Sequence, residues 1–145
     1  MTQPQKRALY ALIIWGAIAA VFVPLFLLGP TTWALYEDWR PKAAVLVFLA
    51  GFIAFWASLF LTRSRQGGQD ERDALIQGKA CAAGLVVVMA YAFLVSIGLY
   101  VYYETQNAVP AGWLWFLGYT TFLLGWIATS AASLYYYHVG LNQHG

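Results

Sequence analysis

Ionisable side chains are what acid–base catalysis, proton transport and metal binding require, and this chain has few of them. Its 145 residues include eight Lys or Arg, six Asp or Glu, two His and one Cys. The charged residues lie in short polar segments, and four long stretches contain none of them: residues 8–36, 43–62, 80–103 and 105–145. An ionised side chain at the centre of a bilayer costs about 2.5–3.5 kcal/mol on insertion scales, so these gaps are typical of membrane spans.

The reactive side chains do not form the patterns that known membrane chemistry needs. His138 and His144 lie at or beyond the end of the last stretch, whereas a pair of haem ligands would face each other inside a bundle. The single Cys81 excludes an internal disulfide and a redox pair, and His and Cys are too scattered for a metal site. Small four-span multidrug transporters carry a carboxylate in the first span, and residues 8–28 have none. The sequence therefore predicts no enzyme, no cofactor, no metal and no proton-coupled pump.

One organised polar motif, DERDALIQGKA, begins at residue 70. Asp70 can cap a helix, and Glu71 and Asp73 would then lie in its first turn, where negative charge interacts well with the helix dipole. The motif can run straight into the third apolar stretch, which favours a capped helix start at the membrane surface. The alternative is a docking site for a protein partner, formed by Asp70, Glu71, Arg72, Asp73 and Lys79.

The same motif carries a resemblance to a family. The pattern Asp-Glu-Arg-Asp-x-x-Ile-x-x-Lys-Ala, between two hydrophobic hairpins, resembles an uncharacterised family of small four-span prokaryotic membrane proteins with an acidic-Arg-acidic motif in the central loop. The resemblance implies a protein of the cytoplasmic (inner) membrane of a bacterium or archaeon, with no assigned reaction.

The elements that must position these residues are four membrane-spanning helices. An α-helix needs roughly 20 apolar residues to cross a hydrocarbon core of about 30 Å, and 61% of this chain is hydrophobic while 10% is charged. We expect an all-α, polytopic membrane protein, an antiparallel four-transmembrane-helix bundle, as a single domain over residues 1–145. The predicted spans are about 8–28, 43–62, 80–103 and 113–137, with a polar loop at 63–79.

Positive charge predicts the orientation of the bundle. Six of the eight Lys and Arg residues lie on the side of the N-terminus, so both termini are expected in the cytoplasm. Aromatic residues cluster at the opposite boundary, where amphipathic rings favour headgroup depth. Residues 32–40 bring three of these rings close to one face at helical spacing, which predicts a short interfacial helix.

Small residues at four-residue spacing indicate where helices approach each other in lipid. The candidate packing residues are Gly16, Ala20, Gly51, Ala54, Gly125 and Thr129. Two of these glycines occupy equivalent points of a weak internal repeat, because residues 48–54 and 122–128 agree at five of seven positions. Such a repeat arises either from duplication of a hairpin, which would give two tandem hairpins, or from chance similarity between segments that contain few types of apolar residue.

Two functional hypotheses follow, and neither is catalytic. The first is an accessory subunit of a larger membrane complex, or a membrane partner of a cytoplasmic protein. The second is a small oligomeric transporter, or a binder of a lipophilic ligand (lipid or quinone), which would use the aromatic residues. Trp15, Trp56 and Trp126 are expected to fill crevices of the bundle or to face lipid, and the alternative is that they line a pocket for such a ligand. The expected partners are the lipid bilayer and either a larger protein complex or further copies of the chain. The net charge of +2 forms no basic patch, so no nucleic-acid partner is expected.

Overall fold

The computed structural model describes residues 2–28, 39–61, 71–106 and 108–140, and these ranges are helical except for short connecting segments. Helix α1 covers Gln3–Leu27, α2 covers Trp39–Leu61, α3 covers Glu71–Tyr103 and α4 covers Ala111–Gly140, with a single 3₁₀ turn at Glu104–Gln106. Each of the four α-helices is long and apolar enough to cross a membrane. The predicted all-α, four-span fold is confirmed for the described part of the chain.

Each helix begins before the predicted span. Polar residues extend the starts of α1, α2 and α3 beyond the apolar core, whereas α4 begins only two residues early, at Ala111. At the start of α1, the backbone N–H of Thr2 donates to the side chain of Gln5 at 2.8 Å and closes the first turn. Helix α3 starts at Glu71, so the polar motif and the third span form one continuous helix, as the sequence predicted. Asp70 and residues 32–38 of the predicted interfacial helix lie outside the described residues.

Helices α1 and α4 form the centre of the bundle. Helix α2 packs on α1, α3 packs most extensively on α4, and α2 and α3 form no packed interface with each other. The starts of α1 and α3 and the ends of α2 and α4 meet at one end of the bundle, here named the Arg7 end. The other end, here named the Trp113 end, joins the end of α1 to the start of α4.

Aromatic side chains fill the seam between α1, α2 and α4. Trp15 is fully buried, and its ring contacts four others at centroid distances of 5.2–6.0 Å: Phe52, Phe55, Phe122 and Trp126. Phe22 and Phe26 continue the seam toward the Trp113 end. Because lipid is as apolar as these rings, the seam stabilises the bundle through close packing and dispersion rather than through loss of water.

Three glycines lie at helix contacts. A Cβ atom added at Gly51 would collide with Ile18 of α1, and one added at Gly84 would collide with the Thr129 side chain of α4. At Gly125 an added Cβ would lie 3.3 Å from Cγ2 of Val88 on α3. Gly51 in the α1–α2 hairpin and Gly125 in the α3–α4 hairpin thus each face the first helix of their hairpin. The two glycines therefore occupy corresponding positions in the internal repeat.

The remaining predicted packing residues are placed differently. An added Cβ at Gly16 would meet no atom within 4 Å, and Ala20 is exposed. The buried stripe of α1 instead runs through Ala11, Trp15, Ile18, Phe22 and Phe26, so the predicted Gly16–Ala20 contact is not an interface between helices of this bundle. Ala54 is also exposed, beside a shallow groove between α1 and α2.

Polar contacts tie α3 to α4 at three depths. Near the Trp113 end, Nε1 of Trp113 donates to the Tyr103 hydroxyl at 2.8 Å. At mid-depth, the Tyr91 and Thr120 hydroxyls are 2.5 Å apart. Thr120 also lies 2.6 Å from its own helix's Phe116 carbonyl, which can only accept, so Tyr91 is the donor to Thr120. The third contact, at the Arg7 end, belongs to the candidate site.

Candidate functional site

The predicted docking motif forms the first three turns of α3 at the Arg7 end. Glu71, Arg72 and Lys79 are exposed there, whereas Asp73 is half-buried. Glu71 and Asp73 lie in the first helical turn, as predicted, where their carboxylates face the positive end of the helix dipole. The structure therefore divides the motif into an exposed charged surface and one inward-facing carboxylate.

Asp73 is that inward-facing carboxylate, and it holds α3 against α4. The Tyr137 hydroxyl donates to Oδ1 of Asp73 at 2.8 Å, and the Tyr137 side chain is buried. Hydrogen bonds to a charged acceptor are stronger than neutral ones. This contact assigns Asp73 a structural role that the sequence motif did not reveal.

A cleft of about 520 Å³ opens beside this hydrogen bond. Helices α1 and α4 form its floor, and α2 and α3, which do not pack against each other, form its sides. Its lining changes along its length, from charged and hydroxyl-bearing side chains to aromatic ones. The polar lining residues are Arg7, Asp73, Gln77, Thr129, Ser130, Ser133 and Tyr137, and the aromatic ones besides Tyr137 are Phe52, Phe55, Trp56 and Trp126.

The hydroxyl-bearing wall of this cleft was missed by sequence reasoning. Among its residues, only Thr129 was predicted, and only as a packing residue. The available signal was their spacing, since Ser130, Ser133 and Tyr137 recur every three or four residues and so share one face of α4. All three are buried within the bundle.

The three deep tryptophans do not form one pocket. Trp15 belongs to the closed aromatic seam, and its Nε1 has no hydrogen-bond partner among the described residues. Trp56 is 57% exposed and Trp126 is half-buried, and both line the cleft at the Arg7 end. Trp15 thus has the packing role that the sequence favoured, and only Trp56 and Trp126 line a cleft.

A second, almost wholly apolar groove of about 510 Å³ lies nearer the Trp113 end, between α2 and α4. Its walls are Phe48 and Phe52 of α2 and Trp115, Tyr119 and Phe122 of α4. This groove contains no charged side chain among its lining residues, so it suits only a lipid chain or another apolar group.

The charged side chains of the described helices lie near helix ends, and within those ranges no three His, Cys, Asp or Glu residues cluster closely enough to hold a metal ion. Cys81 is exposed on α3, and His138 is exposed near the end of α4. The structure thus offers two kinds of surface at the Arg7 end, a charged helix start and a polar-to-apolar cleft.

We predict that the hydrogen bond between Tyr137 and Asp73 contributes measurably to stability. Tyr137→Phe should lower the free energy of unfolding by about 0.5–2 kcal/mol, because the buried contact loses its donor. Asp73→Asn should cost less, since the Asn side-chain oxygen still accepts. The measurement is unfolding in mixed detergent micelles. Tyr135→Phe is the matched control, because Tyr135 is 61% exposed, and a loss as large for Tyr135→Phe would contradict the proposed contact.

Four apolar helices long enough to span a bilayer, with charged residues near their ends, define a multi-pass helical membrane protein. The family comparison agrees: residues 6–139 match the family described as "Predicted membrane protein (DUF2178)", and the chain belongs to that family. No curated protein and no solved structure matches the chain.

Proposed function

We propose that this protein is a non-catalytic accessory subunit of a larger membrane complex, or the membrane partner of a cytoplasmic protein. The observation that carries the proposal is the start of α3, which exposes Glu71, Arg72 and Lys79. Helix α3 has 33 residues and, at 1.5 Å per residue, is about 50 Å long, whereas the hydrocarbon core measures about 30 Å. The first turns of α3 are therefore available to a protein outside the hydrocarbon.

The proposed orientation places this surface in the cytoplasm. Six of the eight Lys and Arg residues lie toward the Arg7 end in sequence, and the positive-inside rule assigns such an end to the cytoplasmic side. The resemblance to prokaryotic four-span proteins supports an inner membrane as the location. Asp70 belongs to the same predicted docking motif in the sequence.

A charge swap tests this surface without disturbing the fold. We predict that the double variant Glu71→Arg with Arg72→Glu inserts normally, because exposed ion pairs are worth roughly 0–1 kcal/mol. It should lose the protein that copurifies with the parent after mild solubilisation. Glu104→Arg at the Trp113 end is the matched control and should keep that protein, since Glu104 is exposed on the opposite side of the bundle.

If the same proteins copurify with the parent and with the swap variant, docking at α3 is contradicted. The first turns of α3 would then have only a structural role, as the start of the helix at the membrane surface. Loss of the partner from both the swap variant and the control would indicate that the charge changes act through general destabilisation.

The second candidate function is binding of a lipophilic ligand. The apolar groove between α2 and α4 favours it, because aromatic walls and a volume of about 510 Å³ suit a chain or ring of a membrane-soluble molecule. A lone homo-oligomer that copurifies with lipid or quinone, and with no larger protein, would favour this second function over the first.

A further inference from the structure

A shallow groove of about 410 Å³ lies between α1 and α2 at the Arg7 end, and it shares no lining residue with the cleft described above. Its α2 wall is formed mainly by the small side chains of Ala54, Ala57 and Ser58. Other exposed positions of this part of α2 carry large side chains, such as Ile53 and Phe60. The small residues therefore leave a concave strip in a surface that is otherwise bulky.

The α1 wall of this groove presents three polar side chains on one helical face. Gln3, Lys6 and Tyr10 follow each other at spacings of three and four residues, and all three line the groove. Each carries an N–H or O–H donor, and no hydrogen bond or ion pair within the described part of the chain occupies these donors. Long side chains on a helix lean toward its N-terminus, so the donors of Lys6 and Tyr10 are directed toward headgroup depth.

The polar end of the groove carries positive charge alone. Lys6 supplies an ammonium group, and neither α1 nor α2 contains an Asp or Glu residue. On the opposite wall, the Ser58 hydroxyl already donates to the Phe55 carbonyl at 2.6 Å. A phosphate oxyanion matches the Lys6 ammonium and the neutral donors beside it, whereas the ammonium part of a zwitterionic headgroup would find no carboxylate there. The groove therefore favours an anion whose remaining headgroup is uncharged.

The groove continues toward the centre of the bilayer as an apolar strip. Ala50 lies one turn deeper than Ala54 on the same face of α2, and Ala17 lies two turns deeper than Tyr10 on the same face of α1. Both of these deeper alanines are exposed. A hydrocarbon chain in this strip contacts two helices at once, so it gains more dispersion contacts than a chain on a convex surface.

We propose that the groove between α1 and α2 binds one anionic phospholipid, of the phosphatidylglycerol type, from the surrounding leaflet. Its phosphate lies at Lys6, with Gln3 and Tyr10 as further donors, and one acyl chain lies along Ala54 and Ala50. The volume of about 410 Å³ accommodates part of the lipid, and the open side of the groove leaves the remainder in the bilayer. None of the docking residues of α3 lines this groove, so the lipid site is separate from the proposed protein surface.

The test places the purified chain in nanodiscs that contain equal amounts of phosphatidylglycerol, phosphatidylethanolamine and phosphatidylcholine with identical acyl chains. Native mass spectrometry then counts the lipids that remain on the protein. One phosphatidylglycerol should be retained per chain, with a preference of about fivefold over each zwitterionic lipid, which corresponds to about 1 kcal/mol for one lysine near an anionic lipid. Equal retention of the three lipids, or retention of none, overturns the proposal.

Two lysine variants distinguish this site from the general attraction of anionic lipid to a positive membrane surface. Lys6→Gln removes the charge that lines the groove and should abolish the preference for phosphatidylglycerol. Lys79→Gln is the matched control and should keep the preference, because Lys79 is exposed on α3 at the same end and does not line the groove. If the two variants show the same preference, the proposal is overturned.

A second pair of variants tests the shape of the groove. Ala54→Leu fills the groove at an exposed position, so the protein should fold and release the retained lipid. Ala82→Leu adds the same side chain at an exposed position of α3 and should retain the lipid. Retention of the lipid by Ala54→Leu overturns the proposal, as does a stable dimer in which a second copy covers the groove. Because only purified chain and lipid are present, the result is independent of the proposed protein partner.

Discussion

Gly84→Ala is expected to weaken the pairing of α3 with α4 strongly, although alanine is the better helix former. The added methyl group collides with the Oγ1 atom of Thr129, and it also lies only 3.3 Å from the Thr129 backbone nitrogen. A flexible side chain could move away, but a short side chain attached to a packed backbone cannot. Overpacking of this kind costs about 1–3 kcal/mol and is offset in part by the helix propensity that alanine gains. The net loss should appear in the free energy of unfolding in mixed micelles.

Gly98→Ala on the same helix is the matched control, because an added Cβ there meets no atom within 4 Å. Both variants gain the same helix propensity, about 0.8–1 kcal/mol, so their difference isolates the collision. Adding Thr129→Ala should recover part of the stability lost in Gly84→Ala and none in Gly98→Ala. If Gly84→Ala and Gly98→Ala unfold at the same detergent fraction, the close approach of α3 and α4 at this position is wrong.

Trp15→Ala should be among the most destabilising single substitutions in the aromatic seam. Trp15 is fully buried and contacts rings from α2 and α4, so its removal takes packing from three helices at once. Truncation of a buried Trp costs about 3–5 kcal/mol in protein cores, and the lost dispersion contacts are not restored in a closed seam. We expect a loss near the lower end of that range in micelles.

Trp56→Ala provides the comparison, since Trp56 is 57% exposed and should cost less than half as much. Trp15→Phe should also be mild, because the indole Nε1 has no hydrogen-bond partner to lose. Equal destabilisation by Trp15→Ala and Trp56→Ala would mean that the seam is not the part of the bundle that holds α1, α2 and α4 together.

The four spans could be predicted from the sequence because the physical signal is local. A stretch of about 20 predominantly apolar residues is recognisable as a membrane span without knowledge of its neighbours. The positions of residues such as Arg40, Lys79 and Glu104 therefore already bound the helices. The continuous start of α3 followed from the same local information, since acidic residues in a first turn favour a helix.

The sequence could not predict which helices pack against each other, because lipid and the protein interior are equally apolar. Spacing alone does not show whether the Gly16–Ala20 stripe or the buried stripe through Trp15 faces another helix. For the same reason Gly84, which lies directly against Thr129, carried no distinguishing signal. The contact of Asp73 with Tyr137 depends on the pairing of α3 with α4, so it required the three-dimensional structure.

Photo-crosslinking in living cells tests most directly whether the start of α3 binds another protein. A benzophenone amino acid at Glu71 should give a discrete adduct with a larger protein that is cytoplasmic or part of an inner-membrane complex. The same group at Gln106, which is exposed at the Trp113 end, should not give that adduct. Absence of a protein adduct at Glu71, or the same adduct from both positions, would contradict the proposed docking function.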